Sequence, residues 1–106
     1  MSEYQIQQEI LREFGARPDM RIWRNNTGTG YSLDGGRIIT FGLKGSADIL
    51  GILTGGRFLG IEVKTSKGRQ SKEQVSFQRM IEGFGGLYIL ARSTQDVALA
   101  LAAEGF

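Results

Sequence analysis

The sequence predicts an α/β fold, a mixed β-sheet flanked by helices, and three observations carry the prediction. Two apolar runs, 47–53 and 57–65, are joined by Thr54-Gly55-Gly56, the pattern of an antiparallel hairpin. A helical stretch and a third apolar run, 87–91, follow, as in a right-handed crossover that returns a strand parallel to 57–65. Amphipathic patterns of helical period open and close the chain.

The elements follow in order. Residues 3–14 predict a helix with Ile6, Ile10, Leu11 and Phe14 on one stripe, Ser2 as its cap, and Gly15 and Pro18 ending it. Residues 21–25 predict a short strand in which Trp23 belongs to the core. Residues 26–36 predict a mobile loop, and Ile38, Ile39 and Phe41 mark a strand over 37–41. After the hairpin, 66–70 is a basic loop. Ser71 opens a helix to about Gly83 whose apolar face carries Phe77, Met80, Ile81 and Phe84. Gly85-Gly86 stops it ahead of strand 87–91. Ser93 caps a last helix bearing Val97 and Leu101. Much of this punctuation is glycine, 16 residues in all, which places turns between short strands.

Composition narrows the chemistry. A chain of 106 residues, 41% apolar, is read as one domain over 1–106 with one core. It shows no membrane-length apolar run and no signal-peptide pattern, which fits a cytoplasmic protein. With no Cys and no His, thiolate sites, His-based zinc sites and Ser-His-Asp catalysis are excluded. Hydrolysis here must rest on carboxylates, Lys, hydroxyls and an oxygen-bound metal. The net charge of +2 and a pI near 9.2 permit nucleic-acid binding without demanding it.

Asp48 and Glu62-Val63-Lys64 are the main candidates. Glu62 and Lys64, two apart on a strand, share a face. Asp48 begins one hairpin arm and Glu62 ends the other, so antiparallel pairing brings the carboxylates together. Singly, each has a plainer account: a turn aspartate, or an exposed cross-strand ion pair. Charges set in a run as apolar as Leu59-Gly60-Ile61-Glu62-Val63 are costly unless compensated, and a divalent cation compensates them. Glu3 lies amid the first helix's apolar stripe and is placed either to approach that edge or to favour the helix dipole. Gln74 completes a capping box with Ser71 and also lies on the helix face turned to the sheet, with Gln78 more lateral. Lys64, Lys67, Arg69 and Lys72 form a basic cluster, either a solvated loop or a set of phosphate contacts. Arg24, Asn25 and Asn26 are further candidates for substrate contact.

Gly45-Ser46-Ala47-Asp48, then Gly60-Ile61-Glu62-Val63-Lys64, then Gly68-Arg69-Gln70-Ser71 with Gln74, resemble the VRR-NUC family of the PD-(D/E)XK nuclease superfamily. Asn25-Asn26-Thr27-Gly28 and Gly85-Gly86-Leu87-Tyr88 fit the same pattern, and Ala47 stands where a Pro is common. The resemblance implies a restriction-endonuclease-like core and Mg²⁺- or Mn²⁺-dependent cleavage of DNA phosphodiesters. It implies Asp48 and Glu62 as metal ligands, with Val63 beside them through its main chain. Lys64 would stand at the attacking water, and Glu3 and Gln74 would support the site. Lys44, Ser46, Lys67, Arg69 and Lys72 would join Arg24, Asn25 and Asn26 in contacting DNA. Small stand-alone members resemble Holliday-junction resolvases and tend to be homodimeric, which points to branched DNA as substrate. Tyr31, Leu33, Ile39 and Phe106 are the apolar residues expected at such an interface. The competing expectation is a DNA-binding module that keeps the nuclease fold and acts through a partner.

Overall fold

A computed structural model describes the main chain of residues 1–106 and the surroundings of all residues but Thr29, Gly30 and Phe41. Over the described residues the order is α1 (Glu3–Phe14), β1 (Met20–Arg24), β2 (Gly28–Tyr31), β3 (Ile38–Phe41), β4 (Ile49–Leu53), β5 (Phe58–Val63), α2 (Lys72–Gly83), β6 (Leu87–Ala91) and α3 (Thr94–Ala103). The main sheet runs β1-β4-β5-β6. Its first two pairings are antiparallel, and β5 with β6 is parallel, with α2 as the crossover. The predicted mixed sheet flanked by helices is the observed architecture. None of the helices is long and apolar enough to cross a membrane.

Strand periodicity divides the core into two layers. Ile49 and Leu53 of β4 and Leu59, Ile61 and Val63 of β5 face α1 and α3, where they meet Ile6, Ile10, Phe14, Val97 and Leu101. The alternate positions face α2, and there Ala47, Phe77, Ile81 and Tyr88 form a smaller cluster. A Cβ on Gly60 would lie 3.4 Å from Ala47 Cβ and 3.6 Å from the Phe77 ring, ordinary contacts, so this layer has room for a methyl there. Both α1 and α2 start in full capping boxes, from Ser2 with Gln5 and from Ser71 with Gln74.

Several expectations need correction. Residues 28–31 are strand, not loop: β2 pairs with β3 as a separate two-stranded ribbon. Gly28-Thr29-Gly30-Tyr31 carries no alternating side-chain pattern, so only the pairing reveals it. Trp23 is 46% exposed rather than core. It lies on the sheet face that α2 would have to cover, and α2 packs on β5 and β6 instead, leaving that side of β1 open. Met80 and Phe84 are exposed for a related reason, since the helix buries only Phe77 and Ile81. Phe106 packs against the main core and its carbonyl accepts from Arg17 Nη2, so it is not a free surface residue.

The turn that delivers Asp48 depends on Gly45. Its φ is +85°, and a Cβ there would sit 2.5 Å from the main-chain carbonyl of Glu73 in the first turn of α2. Gly45→Ala is expected to destabilise the fold by about 1–3 kcal/mol from backbone strain alone, with the clash in addition. A denaturation midpoint equal to wild type would show that this packing does not fix the turn.

Candidate active site

Register places the acidic pair. Strand alternation turns Gly60 and Glu62 toward α2, so Glu62 is roofed by that helix and only 2% exposed. Asp48 stands just ahead of β4, at the end of the Lys44–Asp48 turn. Asn25 steadies this turn: Asn25 Nδ2 donates to Ser46 Oγ at 2.7 Å and to the Ala47 carbonyl at 2.9 Å, and Asn25 N donates to the Asp48 carbonyl. Asp48 Oδ2 then accepts from Val63 N at 2.8 Å, which docks the carboxylate against the end of β5.

Three side chains surround Glu62. Gln74 Nε2 donates to Glu62 Oε2 at 3.0 Å. Lys64 Nζ lies 3.9 Å from the same oxygen, and its side chain is only 14% exposed. Asp48 sits alongside as a second anion. Burial first, and the Asp48 charge second, push the Glu62 carboxyl up to about 8; Lys64 opposes the rise and Glu3 adds to it. Gln74 serves both roles weighed for it, since its Oε1 accepts from Ser71 N at 2.8 Å while its Nε2 holds Glu62.

Glu62 Oε1 is buried and has no hydrogen-bond partner. An unpaired acceptor in the interior beside a second carboxylate is the electrostatic situation that a cation relieves. The carboxylate oxygens of Asp48 and Glu62 suit a hard divalent ion. Glu3, in the first turn of α1, is half-buried and its charge is felt at Glu62. Among the described residues, no three carboxylates converge as a ready cluster.

The DNA-contact candidates divide. Lys67, Arg69 and Lys72 are exposed on the loop after β5 and the start of α2. Lys44 pairs with Glu73 at 3.6 Å, an exposed bridge that water and salt weaken. Arg24 lies over the Tyr4 ring at 5.8 Å. Asn26 is exposed, whereas Asn25 and Ser46 spend their hydrogen bonds inward. A cleft of about 570 Å³ runs from Asn25 and Ser46 along Leu50, Phe77, Met80 and Phe84, apolar for most of its length and set apart from the acids.

Sequence reasoning missed a polar group behind the site. Gln70 Nε2 donates to Gln78 Oε1 at 3.0 Å and to Tyr88 Oη at 3.2 Å. Tyr88 sits in an apolar run that reads as core, and it is core, with its ring edge-on to Phe77. Only the hydroxyl betrays the second use. No protein-family model matches the chain, and no curated protein matches it.

The folded chain holds the Glu62 proton up to about pH 8, whereas the unfolded chain releases it near the ordinary 4.5. Metal-free stability is therefore full below that window and falls as pH rises through it. In EDTA, Glu62→Gln should melt higher than wild type at pH 8 and close to it at pH 5. An equal offset at both pH values would remove the buried charge as its cause.

Proposed function

We propose that this chain is a Mg²⁺- or Mn²⁺-dependent DNA endonuclease that hydrolyses phosphodiester bonds at Asp48, Glu62 and Lys64. The observation that carries the reading is the buried Glu62 carboxylate, one oxygen unpaired, beside Asp48 at the root of an exposed basic loop. Asp48, Glu62 and the Val63 main-chain oxygen would hold the ion, with Glu3 adding negative charge nearby. When bound, a divalent ion lowers the pKa of a water and offsets phosphate charge. Lys64 orients the attacking water or steadies charge developing on the phosphate. Gln74 fixes the rotation of Glu62, and Lys67, Arg69 and Lys72 take flanking phosphates.

The reading extends to branched DNA and a homodimer in the cytoplasm. The β2–β3 ribbon supports the dimer. It exposes Tyr31, Leu33, Ile38 and Ile39 and, among the described residues, packs extensively on no other element, although a lone hairpin is marginal in water. A two-fold pair of chains supplies two sites for paired nicks across a junction.

The direct experiment incubates junction, flap, duplex and single-stranded DNA with the protein in Mn²⁺ and in EDTA. Cleavage should require the metal, vanish in Asp48→Ala and Glu62→Ala, and fall by orders of magnitude in Lys64→Ala while Mn²⁺ still binds. Metal-independent cutting, or wild-type turnover without Asp48, would refute the site. Neutralising Lys67, Arg69 and Lys72 together should flatten the salt dependence of duplex binding by up to ~0.9 log-log units for each phosphate no longer neutralised. Light scattering at micromolar protein should give twice 11.7 kDa, and a strict monomer that still makes paired nicks would sink the dimer.

A further inference from the structure

We propose that Arg92 is the positioning residue for Lys64, acting through the turn that walls the lysine side chain. The proposal rests on the role given to Lys64 above. Beyond β5 the chain stays tied to β6 for one more step, as Lys64 N donates to the Ala91 carbonyl at 3.0 Å. It then folds back, with Gly68 N donating to the Thr65 carbonyl at 3.1 Å. This turn lies against the lysine. A Cβ at Gly68 would sit 3.2 Å from Lys64 Cδ and 3.3 Å from Lys64 Cβ, so a side chain there would press on the lysine stem.

Arg92 holds that wall in place. Its Nη1 donates to the Thr65 carbonyl and, at 2.9 Å, to the Gly68 carbonyl, the two ends of the turn. Its own backbone is fixed by Asp96 Oδ2, which accepts from Arg92 N at 2.9 Å at the start of α3. One nitrogen of the guanidinium is thus committed to main-chain oxygens. Lysine is a long side chain that loses much rotamer freedom when fixed, and a wall along its stem keeps it pointed. Gln70, bonded to Gln78 and Tyr88, anchors the other end of the loop. Loss of Arg92 therefore loosens the wall without releasing the whole loop.

Three readouts on Arg92→Ala test this in the full chain. Amide exchange at Gly68 should accelerate while Val63 stays protected. Turnover should fall on the order of a hundredfold, as a small misplacement costs, with the salt slope of DNA binding unchanged. In a Lys64→Ala background the same change should cost nothing further. A flatter salt slope would make Arg92 a phosphate contact, and an additive loss would make it independent of Lys64; either overturns the proposal. Should Arg92→Ala not fold, Gly68→Ala presses on the same stem and must show the same dependence on Lys64. If wild type cuts no DNA, the nuclease reading fails by itself. The Lys64 Cε resonance then decides: it shifts in Arg92→Ala if Arg92 positions it, and an unmoved signal refutes this.

Discussion

Much of this molecule is arranged around one buried carboxylate. Glu62 sits in the middle strands of the sheet, under a helix, with a second acid beside it and a single amide donor to share. Burying such a charge is unfavourable by several kcal/mol unless it is paired or protonated. The protein meets part of that cost through Gln74 and Lys64, and through the proton that a raised pKa retains. What remains is an oxygen with no partner. The neighbouring features follow from keeping that group in place. Gly45 lets the Asp48 turn pass α2, and Asn25 braces that turn from behind.

The site is therefore built from main-chain geometry as much as from side chains. Asp48 is held by a backbone N–H of β5, and Lys64 leaves the sheet through a bond to β6. A parallel strand and its crossover helix converge at this end of the sheet. This is where an open α/β sheet offers a crevice with ends of strands and a helix start in reach.

How much of this was legible in the sequence depended on whether the signal was local. The hairpin and the shared face of Glu62 and Lys64 follow from a period of two, and both hold in the folded chain. Gln74 was visible because a capping box has a fixed spacing and its helix a fixed face. Trp23 was misread because burial of a strand's second face depends on how far the covering helix reaches, which strand periodicity does not encode. The Gly28–Tyr31 strand was hidden because its pairing is made by backbone, with no pattern of side chains to mark it. Arg92 was invisible for a similar reason, as its partners are carbonyls that come together only once the loop has closed.

Gln74 ties the beginning of a helix to the orientation of a charged group through one amide. Few residues could replace it. Glutamate would cap α2 as well as glutamine does, but it would set a third anion against Glu62. Asparagine keeps the amide and is one methylene short of spanning both partners. Alanine would release both bonds at once. The first turn of α2 and the acidic pair are consequently one cooperative unit, and fraying of that helix end is at the same time disorder in the site. Anything that stiffens Glu62 is therefore felt as slower opening of the Ser71 amide, which stands on a different element yet is joined to the carboxylate by a single side chain.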